Sequence, residues 1–164
     1  MNRKKFPIYI FGEPGRGKTF AMSGLFCQTN SPGKLWIDFQ PWMKRLMSAR
    51  RDGFVTMSSR HHWQTYEVTE TFLLNQVSSG SLLCVDDIGV RGDSESQQSA
   101  LLELLNLRHG LPTVITGNHD AKQLSQIFDA RIASRLASGT VIHLTGPDRR
   151  LKQCEPVRID LGKN

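Results

Sequence analysis

The chain has 164 residues, 38% hydrophobic and 22% charged, which fits a globular protein of one domain and excludes wholesale disorder. Lys and Arg number 21 against 15 acids, a formal charge of +6, so a polyanionic partner is favoured. No apolar run approaches the ~18 residues of a membrane span, the start is too short in apolar residues for a signal peptide, and the three cysteines form no CxxC or Cys/His pattern for zinc; a cytoplasmic protein is expected.

In chain order, PIYIF (7–11), KLWID (34–38), SLLCVD (81–86), PTVIT (112–116) and TVIHL (140–144) read as strands. Each is apolar throughout rather than alternating, as in a parallel sheet covered on both faces. Helices are predicted between them at roughly 18–28, 41–51, 61–78, 96–108 and 121–136, the last breaking near Asp129. Ser94 or Ser96 is a candidate cap for the fourth, and PVRID near the end is a candidate edge strand. The β-α alternation predicts an open, doubly wound α/β sheet of five parallel strands.

The strongest chemical signal is GEPGRGKT (12–19), which matches G-x-x-x-x-G-K-[ST] and stands between a predicted strand and a predicted helix. Gly12, Gly15 and Gly17 let the backbone turn its N–H groups inward on phosphate oxygens. The helix start adds partial positive charge. With Glu13, Pro14, Arg16 and Phe20 they make up the nucleotide loop, in which Lys18 is expected on the β- and γ-phosphates and Thr19 on Mg²⁺.

LLCVDDIG (82–89) supplies a second signal: an apolar strand ends on two acids. Asp86 is the candidate for the magnesium shell and Asp87 for orienting the attacking water, at the sheet edge where such folds bind ligands. Asn118, after VITG, is placed to hydrogen-bond the γ-phosphate and that water, although a turn-forming asparagine has the same signature. In 36–53, Trp42, Leu46 and Ala49 share an inward helical face. Lys44, Arg45, Arg50 and Arg51 form a cationic set near an aromatic, the mixture single-stranded nucleic acid uses; a solvated basic face is the alternative. Arg131 and Arg135 lie four apart on one helix face without acids at matching spacing.

The phosphate loop, the Asp-Asp strand end, Asn118, RIASRL (131–136) and LTGPDRR (144–150) together resemble the AAA+ ATPases of the bacterial helicase-loader group, the DnaC and DnaI type, with the IstB-type transposition helpers as relatives. The resemblance runs from about Ile8 to Arg150. It implies a three-layer P-loop NTPase with a reduced or absent helical lid, and ATP with Mg²⁺ shared between subunits. Asn118 falls at the sensor-1 position, Arg135 at the arginine finger that enters a neighbour's site, Arg131 beside it, and Arg150 at sensor 2. The 36–53 stretch resembles the segment that engages single-stranded DNA.

What this implies is an ATP-hydrolysing helicase loader that self-assembles on ATP or DNA, slow as an isolated subunit, with a replicative helicase as a further partner. Only eleven residues precede Gly12, so the helicase-contacting region of the loaders and the adenine clasp are expected to be missing. Asp87 stands where many relatives carry Glu, and Gly117 where a small hydroxyl residue is common. A transposition helper, a non-hydrolysing nucleotide switch and a small P-loop kinase are the other classes these motifs serve.

Overall fold

The computed structural model describes residues 5–58, 65–89 and 95–148. The elements are β1 (Ile8–Phe11), α1 (Lys18–Gln28), β2 (Leu35–Asp38), α2 (Phe39–Asp52), β3 (Val55–Ser58), β4 (Thr65–Val68), α3 (Glu70–Ser79), β5 (Leu83–Ile88), α4 (Glu95–Leu107), β6 (Thr113–Gly117), α5 (Ala121–Ile127), α6 (Ala130–Ala137) and β7 (Thr140–His143). Five strands form one parallel sheet in the order β2-β5-β6-β1-β7. The chain therefore leaves β1 for the far edge and returns through β5 and β6. It then crosses β1 to finish on β7.

The central strands β1, β5 and β6 are covered on both faces, whereas the edge strands β2 and β7 are only partly buried, with Val141 and Ile142 of β7 exposed. Ile8, Ile10, Cys84 and Val114 turn to one face, where they meet Met22 of α1. Tyr9, Leu83, Val85 and Ile115 turn to the other, against residues of α2 to α6. Three layers result. Leu83, Val85 and Ile115 are wholly buried, each worth about 1.5–3 kcal/mol relative to exposure. Trp42, Leu46 and Ala49 of α2 face this core as their spacing predicts.

Two elements depart from the predicted ones. Of the helix expected at 61–78, residues 61–64 lie outside the described residues, and the remainder is strand β4 followed by α3. Thr65–Val68 is rich in strand formers and pairs antiparallel with β3, Val55 opposite Val68 and Met57 opposite Tyr66. Thr69 then starts α3, its side chain accepting from the Phe72 N–H. The third sheet strand also runs past Asp86 to Ile88. The long helix at 121–136 does break: α5 ends at Ile127, and Asp129 starts α6 by accepting from the Arg131 N–H at 2.8 Å. Ser96 lies inside α4 rather than capping it. Ser94, PVRID and the region where a lid would follow lie outside the described residues.

Arg108, just past α4, is 3% exposed and braces the ends of β5 and β6 opposite the phosphate loop. It donates to the carbonyls of Val77, Ser78, Gly80 and Pro112 and to Thr113 Oγ1. Burial lowers its pKa from the ordinary arginine value. No helix among the described residues is long and apolar enough to cross a membrane.

Candidate nucleotide-binding site

The loop 12–17 leaves the C-terminal end of β1 and turns directly into α1. Gly15 and Gly17 have φ of 79° and 85°, values a residue with a Cβ adopts only at a cost. Gly17 is the N-cap of α1; no side chain caps it and no acid stands in the first turn. The first N–H groups of the helix are thus left open to an anion. Lys18 is buried, and its Nζ donates to the carbonyls of Gly12 at 2.7 Å and Glu13 at 3.0 Å. Arg16 pairs with Glu13 across the exposed side of the loop. Pro14 is exposed there, and Phe20 is 74% exposed on the first turn of α1.

The acid pair meets this loop. Thr19 Oγ1 donates to Asp86 Oδ1 at 3.2 Å. The β5–β6 register shifts between Val85 and Ile88, and Asp87 has φ of 64°. This bulge lets two consecutive acids serve different surroundings: Asp86 is 9% exposed and points inward, while Asp87 is exposed. Thr116 of β6 links them. Its hydroxyl donates to Asp86 Oδ1 at 2.5 Å and accepts from the Asp87 N–H at 2.9 Å. Asp38, Phe39, Gln40, Pro41, Asp86 and Asp87 line a cavity of about 200 Å³ beside the loop.

Sequence reasoning passed over Thr116, whose only signal was a hydroxyl at the end of an apolar run. It also passed over Asp148. Its carboxylate lies over the phosphate loop, so close that a Cβ on Gly15 would fall 1.9 Å from Oδ1. Asn118 directly follows Gly117, the residue in register with Ile88, so it stands beside the acid pair. The oxygens of Thr19 and Asp86 converge as a hard divalent cation requires, with phosphate and water to complete the shell. Among the described residues no cluster of three His, Cys, Asp or Glu side chains forms a self-sufficient metal site.

The two arginines of α6 separate in role. Arg131 donates to Asp129 Oδ2 from Nη2 at 2.6 Å and from Nε at 2.9 Å. These bonds hold the Asp129 carboxyl down to about 2. Arg135 makes no side-chain hydrogen bond or ion pair among the described residues. It lines a small cavity with Phe6, Pro7, His109, Gly110 and Thr113, at the N-terminal ends of β1 and β6. Its own phosphate loop begins at the opposite end of β1. Arg150 lies outside the described residues.

On α2, Lys44 and Arg45 are exposed. Arg50 is taken up by acids, its Nε on Glu70 at 2.8 Å and its Nη2 on Glu103 at 2.5 Å. Arg51 pairs with Asp52. Phe39 and Trp42, the aromatics of α2, are 0% and 3% exposed and so offer no face for stacking.

A phosphate loop opening a helix, an acid-ended neighbouring strand and a five-stranded parallel sheet define an AAA+ type P-loop NTPase fold. No protein-family model matches the chain. It is 25% identical over 134 residues to the replicative helicase loader DnaC of Escherichia coli strain K12, covering 80% of this chain and 50% of that protein. The chain thus spans half the length of the DnaC proteins it matches. Among solved structures it is similar to DnaI, with TM-score 0.64 and 23% identity over 90% of this chain and 74% of that one. It is also similar to a replication initiator DnaA bound to AMPPCP and single-stranded DNA, with TM-score 0.68 and 18% identity over 89% of this chain and 42% of that one. In sequence the chain is thus similar to the DnaC helicase loaders, and in fold to DnaI and DnaA.

Proposed function

We propose that residues 1–164 act as one ATPase unit, a DNA replication helicase loader that binds single-stranded DNA and assembles with ATP shared between subunits. The observation that carries this reading is the division of the site. Lys18, Thr19, Asp86 and Asp87 gather at one end of the sheet, while Arg135, without a side-chain partner among the described residues, stands at the other. An arginine so placed has no use for its own chain's phosphates and suits a neighbour's.

In this reading the loop amides, the α1 N-terminus and Lys18 grip the phosphates of ATP. Lys18 exchanges the Gly12 and Glu13 carbonyls for phosphate oxygens as ATP enters. Thr19 and Asp86 hold Mg²⁺, which when bound screens the phosphate charge. Asp87 orients water for attack, and Asn118 hydrogen-bonds that water and the γ-phosphate. Arg135 of one subunit stabilises the transition state in the next, and Arg150 falls at the sensor-2 position. DNA contact falls to Lys44 and Arg45, the α2 cations exposed to solvent, with Arg51 as an adjunct. Phe54, 42% exposed at the end of α2, replaces the buried Trp42 as the stacking surface. The working compartment is the cytoplasm and the client a replicative helicase.

The test is phosphate release per subunit against protein concentration, with and without single-stranded DNA. The reading expects a rate that climbs with both. A rate independent of both removes the shared site, and tight ATP binding without phosphate release in any assembly leaves a nucleotide switch.

A further inference from the structure

Tyr9 sits within β1, 1% exposed, on the face of the sheet packed against α2 to α6. Its Oη donates to the His119 carbonyl at 2.6 Å. That carbonyl belongs to the residue after Asn118. Burial pushes the phenol's pKa well above its ordinary range, against the pull of the His119 carbonyl and with help from Asp120. The hydroxyl therefore remains a donor throughout any working pH.

Gly117 makes the contact possible. A Cβ at this position would lie 2.5 Å from Tyr9 Oη, 3.2 Å from Tyr9 Cε2 and 3.1 Å from Ile88 Cγ1. Glycine is thus kept at 117 for space: the phenol occupies the volume a side chain would take. The ring is steadied by Phe11, stacked at 6.0 Å and 14°, which itself stacks on His143 at 4.4 Å and 4°. On the far side, Asp120 closes a capping box with Gln123 and starts α5. Asn118 is held between these two anchors. Its own side chain has no hydrogen-bond partner among the described residues, so its placement is left to the backbone on either side.

We infer that Tyr9 is a positioning residue for Asn118: through the His119 carbonyl and the open side of Gly117, its hydroxyl sets where the Asn118 amide stands beside Asp86 and Asp87. The inference rests on the ATP-hydrolysing reading of the site. It also accounts for the glycine at 117, since a hydroxyl reaches this spot from β1 instead of from β6.

The test has two arms on Tyr9→Phe, which removes one oxygen and keeps the ring. The first needs no turnover: amide hydrogen exchange and chemical shifts by NMR. Faster exchange at 118–120, with the rest of the sheet unchanged, is expected. Wild-type behaviour at Asn118 overturns the inference even if the wild-type protein hydrolyses nothing, an outcome that would separately sink the ATPase reading. The second arm is kinetic: kcat in the assembled protein is expected to fall about tenfold with KM for ATP unchanged. Wild-type kcat in Tyr9→Phe overturns the inference while leaving the ATPase reading intact. A joint loss of ATP binding and fold reduces Tyr9 to a packing residue and overturns it too.

Discussion

Replacing Arg135 by alanine separates the shared-site reading from every reading in which one chain is complete. Arg135 neighbours Phe6 and Pro7, whereas its phosphate loop begins at Gly12, five residues further along an extended strand, or ~16 Å at ~3.3 Å per residue. No side chain spans that distance. Arg135→Ala should therefore leave ATP affinity of the isolated chain unchanged. In the assembled protein it should lower kcat by about 10³–10⁵, or roughly 4–7 kcal/mol of transition-state stabilisation. The decisive assay mixes Arg135→Ala with Asp87→Asn protein, each inactive alone. In a head-to-tail assembly about a quarter of the interfaces then pair an intact Asp87 with an intact Arg135. Activity should return to about that fraction of wild type, measured as phosphate release with single-stranded DNA present. No recovery in mixtures that still assemble, or a loss of ATP binding by the isolated Arg135→Ala chain, refutes the reasoning.

Thr116→Val keeps the shape of a buried residue but deletes the donor to Asp86 and the acceptor for the Asp87 N–H. A loss of about 2–3 kcal/mol in urea unfolding is expected, and wild-type stability would show that the bridge contributes nothing. On α2, Lys44→Glu with Arg45→Glu should weaken single-stranded DNA binding and flatten its salt dependence. Arg50→Gln should change it little, because Glu70 and Glu103 already neutralise that charge. The Asp129 carboxyl, held at about 2 by Arg131, has a depressed folded pKa. Its pairing is thus complete above the ordinary carboxylate range and is lost only as pH falls through about 2. NMR titration should show this, and Arg131→Ala should raise the carboxyl toward its ordinary range, the bond from the backbone N–H of residue 131 being kept.

Local information carried a large part of this protein. The glycines, lysine and threonine of 12–19 specify a loop and helix start by backbone freedom and charge alone, and α1 begins at Lys18 where the motif places it. Apolar runs 4–6 residues long specify the central strands, which are buried on both faces. Asp129 breaks the last long helix because its side chain caps the next one within two residues. These outcomes depend on neighbours within a turn or a strand, so they are written in order along the chain.

The rest depends on which distant residues meet. Thr65–Val68 became a strand because Val55–Ser58 was free to pair with it, a partner no helical periodicity reveals. The charge of Arg50 was visible, but its neutralisation comes from Glu70 and Glu103, 20 and 53 residues away. Thr116 gained its role only when β6 settled beside β5, and Tyr9 only when β1 settled beside β6. Arg131 and Arg135 carry the same charge on the same helix face, yet Asp129 claims Arg131, while Arg135 has no side-chain partner among the described residues. Residue type and spacing define which groups are able to act on a phosphate. Which of them are already satisfied within the chain, and which remain for a neighbour, is decided by the packing of the sheet and its helices.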